Sequence, residues 1–402
     1  MPFFNDKAIK ILGGIFLIFL VLGVGIEILA GTFVGFSPFV EPLTALDRVG
    51  TYTAPYEEVE FYPENLMTDF AVQNGKLYIS DFSSHLRVID VSNPANPKEV
   101  AVLPLEYQPR IAALTTEYLF LTRFPHLESD EKPEGKTDQI EIFDISNLKK
   151  VEKVGEYTPQ CESFCLIFDS ALVVDDTLYL PITERPFNGT AEKITIHVLD
   201  ITNPSSVLKR TEIEIPREQP SEIRELQLQG SREYVGVVEE DRFHLFSQEN
   251  AETYELASTY VLPQENRYTC RYFNDIAIRE KVAYLLEQYG ASSGCGRAAL
   301  RIFDISNPVS PRELGKFELR YNAGEIEVKG NYVFVGNRAR GMRVLDVSDP
   351  AAPKEIAHYT SFLTPLYQEI WQMEIDEEYA YVVGHQVLGD LKRIDIIDIS
   401  SL

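Results

Sequence analysis

Residues 86–94 read Leu86-Arg-Val-Ile-Asp90-Val-Ser-Asn-Pro94, a short apolar strand that runs straight into an Asp-led turn. The turn returns as Asp144-Ile-Ser-Asn147, Asp200-Ile-Thr-Asn-Pro204, Asp304-Ile-Ser-Asn-Pro308, Asp346-Val-Ser-Asp-Pro350 and, at the end of the sequence, Asp398-Ile-Ser-Ser401. Its chemistry is that of punctuation. Asp accepts hydrogen bonds from backbone N–H groups just ahead of it, Ser or Thr supports the turn, and the next Asn or Asp tolerates a left-handed backbone. Pro then fixes φ and ends ladder pairing. These aspartates are read as structural, not catalytic.

A common grammar precedes each word. In one copy, Glu325-Ile-Glu-Val328 leads through a Lys329-Gly-Asn331 turn to Tyr332-Val-Phe-Val335, and a loop then precedes Met342-Arg-Val-Leu-Asp346. The first copy repeats it with Phe70 to Val72, an Asn74-Gly75 turn and Leu77-Tyr-Ile79. Period-two alternation of β-branched and aromatic residues, broken by Asn-Gly-type turns, is a strand-and-hairpin signature. A degenerate fourth copy without the Asp is read at Tyr234 to Val238, Arg242 to Ser247 and Tyr254 to Tyr260. The copies recur about every fifty residues, and four strands at that period signify propeller blades. The fold expected is all-β: a seven-bladed β-propeller of four-stranded antiparallel blades. The last word is followed only by Leu402, whereas the others continue into a strand such as Arg312-Glu-Leu-Gly-Lys-Phe317. Leu46-Asp-Arg-Val-Gly-Thr-Tyr52 has that same pattern. Leu46 to Thr53 is therefore expected to close the ring as the outer strand beside Ile370–Ile375, Tyr379–Val383 and Lys392–Ile399, hiding an otherwise open ladder edge.

These words resemble the LVIVD-repeat family of bacterial and archaeal surface β-propellers, over essentially everything beyond residue 45. The resemblance implies an extracytoplasmic propeller and supplies no catalytic residues.

The N-terminus carries a separate signal. Lys7 and Lys10 precede an apolar run from Ile11 to Ile26, which resumes from Ile28 to Phe36 after Glu27. About 20 apolar residues span a bilayer, and lysines on the short side favour an N-terminus left inside. The organisation expected is a short cytoplasmic tail over 1–7, a single transmembrane anchor over 8–36, a linker over 37–44 and the propeller over 45–402. The rival is a cleaved signal peptide with a small-residue site at Leu29-Ala30-Gly31. Both put the bulk of the chain at the cell surface or in the periplasm. Four cysteines without a CxxC pair fit disulfides in an exported protein. The pairs expected are Cys270–Cys295, tying a loop of blade five down, and a local Cys161–Cys165. The net charge of −25 argues against nucleic acid.

Strands are named a to d from the axis outward. The b–c connections vary in length, and variable loops on a rigid scaffold are where binding usually lives. His85, His126 and His385 are placed in b–c loops of neighbouring blades, near Asp81, Glu128 and Asp390, as candidates for a divalent cation, although no ligand spacing supports a site. Aligning the copies on Tyr78, Phe120, Tyr179, Gly236, Tyr284, Phe334 and Tyr381 lines up a second set near the start of strand a. That set is Asp69, Ile111, Ser170, Gln227, Asp275, Glu325 and Gln372. It is read as a polar ring at the channel mouth, able to hold a cation or polar ligand, or else as a wall of satisfied side chains. Asn188-Gly-Thr190 is a glycosylation sequon. No catalytic motif occurs, and no cofactor is expected. The leading reading is a membrane-anchored binding or adhesion module for an extracellular protein or glycan. The alternatives are a hydrolase or lyase acting on an extracellular glycan or lactone through an axial metal, and an accessory subunit of a membrane complex.

Overall fold

A computed structural model describes residues 43–53, 67–81, 84–123, 137–161, 164–168, 170–185, 193–216, 226–231, 233–250, 253–263, 270–290, 295–337, 341–360, 368–386 and 393–402. The chain divides into residues 1–44 and a compact unit from Ala45 to Leu402. The expected anchor over 8–36 lies outside the described residues. Among the described residues no helix is long and apolar enough to cross a membrane.

The compact unit is built from seven antiparallel sheets. Blade one runs Met67–Gln73, Lys76–Asp81, His85–Asp90 and Lys98–Pro104 from a to d. Blade two runs Arg110–Leu114, Tyr118–Arg123, Gln139–Asp144 and Glu152–Tyr157. In blade three strand a is broken into Phe164–Ile167 and Leu172–Val174, followed by Thr177–Arg185, Lys193–Asp200 and Leu208–Glu214. The degenerate copy forms blade four: Leu226–Gly230, Tyr234–Glu239, Arg242–Asn250 and Thr253–Val261. Blades five and six are Cys270–Arg279, Val282–Gly290, Arg297–Asp304, Arg312–Leu319, and Ala323–Lys329, Tyr332–Asn337, Gly341–Asp346, Lys354–Tyr359.

Blade seven combines both ends of the unit. Gln368–Ile375, Tyr379–Gln386 and Arg393–Asp398 are covered by Arg48–Thr53, which runs antiparallel to the last strand with Thr51 opposite Asp395 and Tyr52 opposite Ile394. The closing strand is shorter than the sequence suggests. It begins at Arg48, and Leu46 turns away so that its N–H donates to the His358 carbonyl of blade six (2.9 Å).

Seven apolar clusters account for the core, and every one lies between two blades rather than within one. The cluster joining blades seven and one contains Tyr52, Phe70, Leu77, Tyr381 and Ile396, so the ring is continuous across the chain ends. A blade alone has no core, and each stack depends on its neighbours.

The Asp words behave as their chemistry requires. Asp90 Oδ1 accepts from Ser92 N (3.0 Å) and Ser92 Oγ (2.6 Å), and Asp200 accepts from Thr202 N and Oγ1 at the same distances. The residue after each Asp donates back to the a–b hairpin of its own blade, as Val91 does to Gly75 and Ile399 to Glu378 (both 2.9 Å). Its side chain is buried between blades. The word also locks the previous blade. A Cβ on Gly50 would lie 1.7 Å from the Pro94 carbonyl oxygen, one on Gly155 1.8 Å from that of Pro204, and one on Gly315 2.1 Å from that of Pro350. In the fourth blade Ser258 takes the glycine's place and donates to the Pro308 carbonyl (2.6 Å).

Candidate functional site

The polar set near the start of strand a forms a belt around the axis. Five of its seven members reach the next blade. Asp69 Oδ2 accepts from the Ile111 amide (3.0 Å), and Ser170 Oγ donates to the Leu226 carbonyl (2.7 Å) from within the break in blade three's inner strand. Asp275 Oδ2 accepts from Ile326 N (2.7 Å) and Glu325 Oε2 from Met373 N (2.5 Å). Gln372 closes the seam. Its Oε1 accepts from Phe70 N (3.2 Å), and its Nε2 donates to Phe70 O (2.9 Å) and to Asp69. Gln227 lies half-buried in blade four. Blade two carries apolar Ile111 at this position, and its backbone amide only receives the Asp69 contact from blade one. At these five junctions the belt clasps blade to blade through side chain and backbone.

Its charge is one-sided. Glu325, Glu327 and Glu374 lie on the inner strands of blades six and seven, between Asp275 of blade five and Asp69 of blade one. Burial, followed by the like charges of Asp275, Glu327 and Glu374, holds the Glu325 carboxyl well above the usual range. Glu374 is raised the same way by burial, then by Glu327 and Asp69. Burial pushes Glu327 up to about 7. The opposite part of the wall offers the neutral side chains of Ile111, Ser170 and Gln227. Among the described residues no group of three or more His, Cys, Asp or Glu is arranged to hold a metal ion.

A second polar ring, which the sequence reading missed, occupies the middle of strand c. Register puts Arg87, Glu141, His197, His244, Arg301, Arg343 and Asp395 at one position, opposite Val102, Glu156, Glu212, Thr259, Lys316, His358 and Thr51 respectively. Most are buried, and each has a partner. Arg87 pairs with Glu99 (3.0 Å), Glu141 with Lys153 (2.8 Å) and Arg123 (3.2 Å), and Arg343 with Glu355. Arg301 Nε meets Glu287 at 2.6 Å, and Glu287 also holds Arg271 at 2.6 Å. Asp395 is gripped by Arg393 Nε and Nη2, each at 2.7 Å, by Thr51 (3.0 Å) and by the Tyr359 hydroxyl of blade six (2.8 Å). Tyr157 of blade two likewise shares a 2.7 Å hydrogen bond with His197 Nδ1. Burial, then nearby Lys209, lowers His197 to about 4, so the imidazole is neutral near pH 7. The signal was present in the sequence, as the polar second residue of Leu-Arg-Val-Ile-Asp and its copies.

His85 is the first residue of strand c in blade one and His385 lies in strand b of blade seven, rather than in the b–c loops expected of them. His126, Glu128, Asn188 and Asp390 lie outside the described residues. Both disulfides pair as expected: Cys161 with Cys165, and Cys270 with Cys295. All four cysteines sit at the face carrying the b–c and d–a connections. Cys270 opens strand a of blade five, Cys295 lies in its b–c connection, and Cys161 lies in the connection leading to blade three. That face is also braced between blades two and three. Asp138 N and Thr137 Oγ1 donate to the Cys165 carbonyl (3.2 and 3.1 Å), and Asp138 Oδ2 accepts from Ile167 N (2.8 Å).

A family description, the LVIVD repeat, matches residues 68–102, 294–318 and 322–361. The chain carries LVIVD repeats. The matched stretches fall on blades one, five and six, whose words keep the Pro. No curated protein matches the chain. Among solved structures it is similar to Raptor from Chaetomium thermophilum (TM-score 0.56, 10% identity), covering 89% of this chain but 29% of that one. It is also similar to the Pan2 WD40 domain of Neurospora crassa (TM-score 0.56, 10% identity, 88% of this chain and 97% of that one). The computationally designed Ika8 protein aligns at TM-score 0.51 and 11% identity over 85% of this chain and 98% of its own. At such identities the likeness concerns the fold alone.

Proposed function

We propose that this LVIVD-repeat propeller is an extracytoplasmic interaction module, held at a membrane by residues 8–36, that offers its b–c and d–a face to a protein or glycan. The observation that carries the reading is the placement of both disulfides on that one face. Disulfides persist in oxidising compartments outside the cytoplasm. Tying connections to rigid strands lowers the ordering cost that a partner must overcome on binding. The two polar rings add to this by fixing neighbouring blades against one another, so the face behaves as one surface. Protease added to intact spheroplasts should digest the propeller, and an impermeant cross-linker should join it to a neighbour through lysines of that face. Protection of the whole chain until lysis would rule out the assigned side of the membrane. A full chain that purifies with stoichiometric divalent metal would instead point to a metal-dependent hydrolase or lyase.

A further inference from the structure

Where the Pro words meet the previous blade, Pro94, Pro204 and Pro350 lie against a glycine of strand d, and Pro308 against Ser258. Two junctions differ in the same two places. At blades one and two, and again at six and seven, the Pro becomes leucine (Leu148, Leu402) and the small residue becomes alanine (Ala101, Ala357). The strand registers of blades one and six match: Val88 faces Ala101 as Val344 faces Ala357, and Leu86 faces Leu103 as Met342 faces Tyr359. The two junctions therefore carry the same architecture, yet among the described residues only one is filled.

At the six–seven junction the occupant is Leu46. It is 7% exposed, belongs to one apolar cluster with Met342, Val344, Ala357 and Tyr359, with Leu402 packed against it, and its amide donates to the His358 carbonyl. Ala357 is fully covered. At the one–two junction the equivalent space is an open cleft of about 200 Å³, lined by Leu86, Val88, Ala101, Leu103, Leu148 and Val151. Here Ala101 and Leu103 are only half-buried, and Val102, the counterpart of His358, is 41% exposed. Lys149 and Lys150 stand on the rim, Lys150 beside Glu152 (2.9 Å). A basic rim is unusual on a chain of net charge −25, and it complements acidic side chains.

We propose that this cleft binds an extended segment of a partner protein that inserts a leucine flanked by acidic residues, with the leucine amide donating to the Val102 carbonyl as that of Leu46 does to His358. The template is the chain's own Ala45-Leu46-Asp47, in which Ala45 ends a short strand on the edge strand Lys354–Tyr359 and Leu46 follows it, so the mode is short strand addition to a blade edge with a side-chain anchor. This contact is independent of the loop-face reading above.

The test uses the full chain and a fluorescent synthetic peptide, Asp-Glu-Ala-Leu-Asp-Glu, followed by anisotropy. Burying one leucine contributes about 1.5–3 kcal/mol, so replacing it with serine should weaken binding roughly 10–100-fold. Ala101→Leu should abolish binding by filling the cleft. Lys149→Glu with Lys150→Glu, both exposed, should weaken it in low salt without lowering the melting temperature, which separates the effect from misfolding. Binding indifferent to the leucine, or unaffected by a folded Ala101→Leu variant, would overturn the proposal. Concentration-dependent self-association removed by Ala101→Leu would overturn it too, by giving the cleft to a second copy.

Discussion

Two polar rings circle this propeller, one beside the axis on strand a and one farther out on strand c, and they manage their charges in opposite ways. In the outer ring carboxylates meet cations. Burial by itself would raise Glu141, but Lys153, Tyr107 and Arg123 hold it below the usual range. Its neighbour Glu212 is drawn down to about 2 by Lys209, against burial, with Lys193 adding to the effect. In the inner ring burial pushes up Glu325, Glu327 and Glu374, and neighbouring acids add to it at Glu325 and Glu374. The difference follows from what each ring holds. The outer ring joins strands of one blade, and hydroxyls from the neighbour, through ion pairs that need their charge. The inner ring clasps backbone amides, and accepting from an amide needs only a lone pair. Gln372 does at Phe70 what Glu325 does at Met373 without carrying a charge. Charge is therefore structural outside and dispensable inside.

The sharpest way to break this comparison is at the seam, where the outer ring and the closure of the propeller depend on the same strand. Deleting residues 45–53 removes Thr51 and Arg48 from Asp395 and uncovers the ladder edge of Arg393–Asp398. It should lower the melting temperature far more than trimming a surface loop, and should expose the amides of Ile394 to Ile397 to hydrogen exchange. An unchanged melting transition with full protection there would mean that the other blade junctions hold the ring without it.

Next in size is Glu287→Ala. Glu287 is fully buried between Arg271 and Arg301, both at 2.6 Å, with Lys316 at 3.7 Å. Its loss leaves two guanidinium groups buried without their shared anion, and removing one partner of a buried pair costs about 3–5 kcal/mol. Urea unfolding measures it. A loss below about 1 kcal/mol would show that solvent reaches this network and that the outer ring is an ordinary set of surface pairs.

The contrast between the rings also explains what could be read from the residues alone. Blade number, the closing strand and the cysteine pairs were legible because each rests on a local pattern repeated in register, or on its conspicuous omission. The turn aspartates were legible as turns because Asx chemistry is local. The outer ring was visible as the polar second residue of each Leu-Arg-Val-Ile-Asp copy, but alternation ordinarily means one face towards water. In a propeller strand c is covered on both faces by neighbouring blades, so Arg87, Glu141 and their counterparts are buried and must be paired. Period two carried the right residues and the wrong environment. The inner set Asp69, Ser170, Asp275, Glu325 and Gln372 came from aligning the copies, but its partners are amides and carbonyls of Ile111, Leu226, Ile326, Met373 and Phe70. A backbone group leaves no signature in the sequence. Leu148 and Leu402 stand where other copies carry Pro, and what that change does shows only in three dimensions, where Leu46 fills one junction and, among the described residues, nothing fills the other.

The smallest expected effect tests the inner ring by its sign. Burial raises the Glu327 carboxyl from 4.5 to about 7. Between those values the folded chain holds a proton that the unfolded chain has released, so this residue's contribution to stability falls as pH rises through that window. Below about pH 4.5 the group is protonated in both states and carries no penalty. Above about pH 7 the folded ring holds a desolvated carboxylate, and the penalty is complete. Glu327→Gln keeps the shape and removes the charge, so it should stabilise the protein at pH 8 by on the order of 1–2 kcal/mol and leave it nearly unchanged at pH 4.5. The outer ring predicts the reverse. Glu212 is held near 2, so its support is present at neutral pH and is lost only as acid protonates it, and Glu212→Gln should destabilise at pH 8. Melting curves of both variants across that pH range give the comparison directly. Destabilisation of both at pH 8 would show that the inner carboxylates are neutralised by a bound cation or by water, and the distinction between the rings would fall with it.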